Sequence, residues 1–357
     1  MECDPALPSL PRRGLIPAVL AGVSLSRTAL ATPQQDWHAF ERRFVLPEGR
    51  VVDNGNRNVS HSEGQGYGLL AALRAGDQPT FDRIVTWTMN NLKRPTDNLF
   101  AWRWQPDTQP AVTDLNNASD GDIYIAWALL EASRIWANPV YRRMGQAIGR
   151  DLLRRCVVQV GPRWVLLPGA FGFQSRHRVV INLSYYAFAA LRVIAQHLPD
   201  PAWERLERDG LALIRDSRFG MYQLPPDWLE LPADGGRSVM AEGWPKRFSF
   251  DAIRIPLNLV WAGLAQESAV SSAIRFWATP TQRGMPAWVD LMTNVTPTYP
   301  APPGIAAIAR LSEAAQAGQG NLARMPKVEA AQDYYSAALV LQARLAWHDH
   351  SLSQAAP

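Results

Sequence analysis

The sequence predicts an all-α protein folded as an (α/α)6 barrel, six inner and six outer helices, on three observations. Two kinds of helical segment alternate along the chain. Amphipathic segments carry an apolar stripe and belong half-exposed, whereas segments apolar nearly all round belong inside. The few polar residues of the second kind gather at the N-terminal ends, where each helix would meet a cavity. Loops rich in Pro, Gly and Trp separate the pairs at 94–119, 157–181, 217–250 and 280–303, and their length suits them to shaping a cleft.

In chain order, an outer segment at 37–44 precedes an inner one starting near Glu63. The outer segment 79–93 follows, with Phe81, Ile84, Val85 and Leu92 on one stripe. Asp120 to Trp136 is apolar nearly all round and is the second inner helix, followed by outer segment 139–156. Asn182 to Ala195 is the third inner run. Asp200-Pro201 then opens outer segment 202–216, with Asp as N-cap and Pro at the first position. Its Trp203, Leu206, Leu213 and Ile214 share a face, and Glu204, Arg205, Glu207 and Arg208 lie largely on the other. Asp251 to Ala265 is the fourth inner run, 268–278 the next outer one, and the last two inner helices start near Pro303 and Asp333. No close internal repeat accompanies this alternation.

At 357 residues the chain can bury a large core as one domain or two. No composition break appears after residue 36, so the expected organisation is a signal peptide at 1–31, one catalytic barrel at 32–349 and a disordered tail at 350–357. Arg12-Arg13 form a positive region, Gly14 to Leu25 a short apolar stretch, and Ala29-Leu30-Ala31 a cleavage site. The apolar stretch is too short to span a bilayer, so no stable membrane insertion is expected once it is removed. Arg12-Arg13 also admit a twin-arginine signal. Of the two cysteines, Cys3 and Cys156, removal leaves Cys156 alone, which excludes an intrachain disulfide. The reading is therefore an exported bacterial protein, periplasmic or extracellular. Two of its four N-x-S/T sequons, Asn117 and Asn182, lie inside the motifs described next, where a glycan would block function; the others are Asn58 and Asn294.

Net charge is +4, but the densest basic spots, Arg142-Arg143, Arg154-Arg155 and Lys246-Arg247, are isolated pairs. They read as solvated faces, and no nucleic-acid partner is expected. No HExxH or CxxC motif is present, so no metal or other cofactor is expected. The lack of a DDxxD motif disfavours helical-barrel isoprenoid chemistry.

Chemistry concentrates in three segments. Ser62-Glu63-Gly64-Gln65-Gly66-Tyr67-Gly68 and Ala118-Ser119-Asp120-Gly121-Asp122 each place carboxylates at the start of an apolar helix. Phe248-Ser249-Phe250-Asp251-Ala252-Ile253-Arg254 adds a third, with Arg254 three residues on. Paired carboxylates on a rigid frame, in a chain with 14 Trp, suggest glycosidic bond cleavage. That reaction needs one carboxyl group to protonate the leaving oxygen and another to activate water or attack directly. Glu63 as the acid needs a raised pKa against a helix dipole that favours the anion. The competing reading puts Glu63 in a capping box with Ser60. Gly64 and Gly66 would let a ligand approach the backbone closely. Asp120 and Asp122 could simply cap their helix, although Asn116, Asn117, Ser119 and two Asp exceed what capping needs. Asp251 and Arg254 fit an i,i+3 ion pair, or, in a cavity, a base that Arg254 keeps ionised. Trp102 and Trp104 alternate in a loop and suit sugar stacking. In Tyr185-Tyr186 and Tyr334-Tyr335, one ring of each pair belongs to the core and the other to the cleft.

These residues together resemble glycoside hydrolase family 8. From Ala118 to Trp136 the chain fits the family signature throughout, A-S-D-G-D, two residues, I-A, then W-A-L-L-E-A and Trp136, and the likeness extends from about Trp37 to Trp347. The resemblance implies an (α/α)6 barrel and inverting hydrolysis, chiefly of β-1,4-glucans. It implies Glu63 of S-E-G-Q-x-Y as general acid, Asp251 of F-D-A-x-R-x-P as general base, and Asp120 as the residue that binds and distorts the sugar at the cleavage point. It places Tyr185 of N-x-S-Y and Arg254 near the attacking water, and Trp102 as a sugar platform. Trp104, Asn182 and Tyr334 complete the expected substrate-binding set. Phe250 stands where many members have Tyr. The local pattern is most similar to endoglucanases that accompany bacterial cellulose synthesis. The expected activity is thus that of an endo-β-1,4-glucanase, monomeric, with a cellulose-synthase export assembly as a further partner. The alternatives are a relative acting on chitosan or xylan and a non-hydrolytic glucan-binding component of an export assembly.

Overall fold

The computed structural model describes residues 32–279, 281 and 284–354; the expected signal peptide at 1–31 lies outside them. Outer helices begin where the sequence supplies a cap. Thr32 forms a capping box with Gln35 at α1 (Pro33–Phe44). Asp77 caps α3 (Gln78–Asn91), Asn138 caps α5 (Pro139–Cys156) and Asp200 caps α7 (Pro201–Asp216), each with Pro in the first two positions. The fifth outer helix, α9 (Ser268–Trp277), has no side-chain cap.

The inner helices start differently. At α2 (Ser62–Ala75), α4 (Ser119–Ile135), α6 (Phe188–His197), α8 (Arg254–Trp261) and α10 (Pro303–Ala317), no side chain of the N-cap residue satisfies the first N–H groups. The last inner helix, α11 (Tyr334–Gln354), begins after Asp333, which accepts from the Ser336 N–H. Polar residues at these starts are therefore available for other partners.

The inner helices close a ring: α2 packs on α4, α4 on α6, α6 on α8, α8 on α10 and α11, and α11 back on α2. Outside them, α1 covers α2 and α11, α3 covers α2, α5 covers α4, α7 covers α6, and α9 covers α8 and α10. This is the (α/α)6 barrel that the alternation predicts, and α2, α4 and α8 are buried along nearly their whole length. Between α10 and α11 the chain forms two 3₁₀ turns, Leu322–Arg324 and Val328–Ala330, in place of a sixth outer α-helix, the second turn resting on α1 and α11.

Three boundaries shift from the sequence reading. A 3₁₀ turn, Leu183–Tyr185, capped by Asn182, precedes α6. Asp251 sits in a turn, and α8 starts only at Arg254 and stops at Trp261. The final helix runs on to Gln354, so part of the tail expected from His350 is helical, while 355–357 lie outside the described residues. The long loops carry short antiparallel ribbons: Ser60–His61 pairs with Arg103–Trp104, and Arg178–Ile181 pairs with Leu229–Pro232. Among the described residues no helix is long and apolar enough to cross a membrane.

Glycine fixes the approach of α2 to α4. A Cβ on Gly66 would stand 2.7 Å from the Tyr124 Cβ, and one on Gly121 would stand 2.7 Å from the Glu63 backbone nitrogen. The two helices thus cross backbone to backbone, bringing Glu63 and Asp120 side by side at their starts.

Candidate active site

The site is organised by one buried guanidinium. Arg254, the first residue of α8, is 5% exposed. Its Nη1 reaches Glu63 Oε2 at 2.9 Å, Asp120 Oδ2 at 3.2 Å and the Tyr67 hydroxyl at 3.1 Å. Its Nη2 donates to Asp251 Oδ1 at 2.8 Å and to Ser184 Oγ at 3.2 Å. Three carboxylates from three inner-helix starts converge on one cation. Glu63 and Asp251 keep 27% and 29% side-chain exposure, while Asp120 keeps 2%, so the first two face the cleft and the third lies beneath.

The surplus of acid sets the protonation. Burial first, then the Glu63 charge, push Asp120 well above the ordinary carboxylate range. Burial also raises Glu63, but Arg254 most strongly, then the Asp120 hydrogen bond, His61 and Tyr67, outweigh it and hold Glu63 below its usual value. Glu63 and Asp120 lie within hydrogen-bonding reach, and their opposite shifts favour a proton on Asp120 over one on Glu63. The sequence reading asks for a raised Glu63; Glu63 is instead held down, and its neighbour Asp120 is the raised one. Burial raises Asp251 even though Arg254 opposes it, which makes Asp251 a stronger base than a solvated carboxylate.

The capping readings fail on geometry. The N-cap of α2 is His61, which makes no cap bond, and Ser60 Oγ instead accepts from Arg50. Asp120 accepts from the Gly121 N–H beside it and otherwise turns to Arg254 and Glu63. Asp122 is structural: it accepts from the Phe100 N–H at 2.9 Å and the Asn117 amide at 2.8 Å, and burial lifts it to about 8. Asn117 also ties Arg94 and the Ala170 N–H, and Ser119 donates to Leu167. This explains the polar excess around Asp120, which anchors two cleft loops. Gly64 and Gly66 open no room for ligand, since a Cβ on Gly64 would meet the Tyr334 hydroxyl at 2.5 Å.

Asn182 is fully buried and accepts from the Ser184 N–H and Oγ; with its amide also near Asp251, it acts through its neighbours. The Tyr185 ring lies 5.7 Å from the Arg254 guanidinium and faces the site, while Tyr186 is core, its hydroxyl accepting from the Leu166 N–H. Tyr334 packs its ring on Phe40 and Phe44 and turns its hydroxyl towards Gly64 and Glu63. The Tyr335 hydroxyl donates to the Phe250 carbonyl at 2.5 Å, and its ring meets the Phe250 ring edge to face. Trp102 holds Asp114 through its indole N–H and stacks parallel to His61. Trp104, expected to bind substrate, is packed instead against Trp87 and under Arg50.

Sequence reasoning missed Tyr67, Ser184, Asp227 and Asn258. Tyr67 lies one turn beyond Glu63 and Ser184 lies inside N-x-S-Y, so both had a spacing signal. Asn258 donates to the Ser184 carbonyl at 2.8 Å from one turn beyond Arg254. Asp227, whose carboxylate binds the Ser249 and Ala252 N–H groups, is far away in sequence and gave no signal.

A family model described as glycosyl hydrolases family 8 matches residues 9–350. A probable endoglucanase of Novacetimonas hansenii is 42% identical over 326 residues, covering 90% of this chain and 94% of that protein. An endoglucanase of Cellulomonas uda is 38% identical, covering 85% of this chain and 84% of that one. The solved endo-β-1,4-glucanase of Acetobacter xylinum superposes with a TM-score of 0.85 at 40% identity, over 90% of this chain and all of that one.

Proposed function

The chain belongs to glycosyl hydrolases family 8, and on that premise we propose how its three carboxylates divide the work. It is an endoglucanase that hydrolyses internal β-1,4-glucosidic bonds of a glucan. Glu63 protonates the glycosidic oxygen. Asp251 removes a proton from a water on the opposite face of the sugar, and Asp120 supplies Glu63 with its proton across their hydrogen bond while holding the ring at the cleavage point. Tyr185 and Arg254 border the water, and Trp102 carries the chain at the cleft rim.

One observation carries this reading: a single guanidinium bridges Glu63 and Asp251 on different nitrogens. Bonds of 2.9 and 2.8 Å on either side of it limit the bonded oxygens to about 8 Å apart. That ceiling admits a water between the two groups, while inversion, with its separation of about 6.5–9.5 Å against about 5–5.5 Å for retention, is what the family likeness implies.

The test is release of new reducing ends from carboxymethylcellulose, mixed-linkage β-glucan, xylan and chitosan, with Glu63→Gln as control. Release from the cellulose derivative, lost in the variant, is the expected result; release from xylan or chitosan alone would reassign the substrate. Proton NMR of the first products should show the α-anomer, and an initial β-anomer would overturn inversion. The proposal extends to export, supported by the leader-like composition of residues 12–31; mass spectrometry of the periplasmic or secreted protein should find its N-terminus at residue 32.

A further inference from the structure

The turn that carries Asp251 is held from two sides by residues outside the catalytic set. From one side, Asp227 Oδ1 accepts from the Ser249 N–H and from the Ala252 N–H, both at 2.8 Å, and Oδ2 accepts from the Ser249 hydroxyl. Asp227 is 6% exposed, and its own N–H is tied to the Arg247 carbonyl at 2.7 Å. From the other side, the Tyr335 hydroxyl binds the Phe250 carbonyl. The backbone on both flanks of Asp251 is therefore fixed, and Arg254 fixes its carboxylate.

We propose that Asp227 is a positioning residue for the hydrolytic base: its carboxylate clamps the Ser249–Ala252 turn and, through that turn, aims Asp251 at the attacking water. The inference rests on Asp251 being the base. Three bonds from one buried carboxylate to Ser249 and Ala252 are more than a loop needs to stay folded, because Ile253 and Arg254 already close the turn through the Ser249 and Asp251 carbonyls. A carboxylate is also a costly choice for a merely structural acceptor. It is buried close enough to Asp251 that desolvation and the Asp251 charge lift it to about 6. The charged groups around Asp251 are Arg254 and Glu63 within the site and Asp227 behind the turn.

Asp227→Ala and Asp227→Asn separate these roles. The Asn amide oxygen keeps both backbone bonds, so Asp227→Asn should retain most of kcat. Rescue of kcat by Asn, against loss in Ala, is the readout that a merely structural role would not give. Asp227→Ala should lower kcat by up to about 100-fold, the order of loss that a roughly 1 Å misplacement produces. Its KM should stay near that of the parent, since the substrate contacts remain. Far-UV circular dichroism and thermal unfolding establish that each variant is folded. If Asp227→Ala does not fold, Ser249→Ala, which removes only the hydroxyl bond, should give a smaller loss of kcat without a change in KM.

Parental kcat in folded Asp227→Ala, or equal losses of kcat in the Ala and Asn variants, would overturn the proposal. Asp251→Asn run in parallel keeps the two readings apart. An active Asp251→Asn would remove the base itself, whereas an inactive Asp251→Asn beside an unaffected Asp227→Ala would remove only the positioning role.

Discussion

The barrel closes each end around an arginine, and the two arginines keep different company. At the C-terminal ends of the inner helices, Arg74 binds Glu131 and, with Nε at 2.9 Å and Nη2 at 3.0 Å, Asp349; Asp349 also accepts from the Trp261 indole. Those two carboxylates keep 17% and 23% side-chain exposure, so water shares in solvating them. At the N-terminal ends, Arg254 meets three carboxylates, one of them 2% exposed. The first cluster is an ion-pair network that joins α2, α4 and α11. The second gathers three carboxylates on one cation and seals one of them, Asp120, from water, so that burial and the Glu63 charge push it towards its protonated form. A carboxylate sealed beneath two cleft-facing ones is what separates a site from a staple here.

Removing one acid from each cluster gives the largest contrast. Glu63→Gln should lower kcat by at least about 10²–10⁴-fold, the scale of general acid catalysis, with unfolding temperature unchanged or higher. Glu131→Gln should leave specific activity intact and cost about 1–3 kcal/mol of stability by leaving part of Arg74 unpaired. Reducing-end assays and thermal melts on both variants decide it; an unfolded Glu63→Gln would return that residue to a structural role.

Replacing the cations sharpens the difference. Arg74→Met should destabilise the fold at neutral pH. Arg254→Met should abolish activity but stay folded in acid, because its three carboxylates can then take up protons. Carboxylates whose folded pKa lies above the unfolded value keep their stability at low pH and lose it as pH rises. Melting temperature of Arg254→Met should therefore fall from about pH 4 to pH 8 more steeply than that of the parent.

A pH profile tests the stored proton itself. With Asp251 raised by burial, the acid limb of kcat/KM should lie above the ordinary carboxylate range, near pH 4. With Asp120 raised well above it by burial and the Glu63 charge, the basic limb should follow the loss of the Asp120 proton. Asp120→Asn should shift the basic limb; an unmoved limb would show that Glu63 is loaded independently.

The two clusters also differ in how legible they were. Glu63, Asp120, Asp251 and Arg254 stand at the starts of apolar runs, and a polar residue there announces a cavity. Arg74, Glu131 and Asp349 sit at the ends of such runs, where a charge reads as ordinary solvation. The helix alternation was equally plain, because burial all round and burial on one face leave different patterns. What the pattern could not contain is pairing across loops: Asp227 with Ser249, Tyr335 with Phe250, and Asn117 with Ala170 join residues whose local sequence does not reveal the partner. The role of Gly66 and Gly121 was hidden for a related reason, since a glycine in a helix looks the same whether it admits a ligand or a neighbouring backbone.

The smallest contrast lies between two tryptophans two residues apart. Trp102 has one indole bond, a parallel His61 ring at 6.2 Å and the Arg103 guanidinium at 4.6 Å, all at the cleft rim, and unlike Trp104 it does not pack against the core. Trp104 meets Trp87 edge to face at 5.6 Å and lies under the Arg50 guanidinium at 4.8 Å. Trp102→Ala should raise KM several-fold, about 1 kcal/mol of lost stacking on a sugar ring, without moving the melting temperature. Trp104→Ala should do the reverse, losing roughly 2–4 kcal/mol of packing with KM intact in the folded fraction. If instead Trp104→Ala raises KM while the melt is unmoved, its packed face is not what holds it, and the sugar platform is two residues deep.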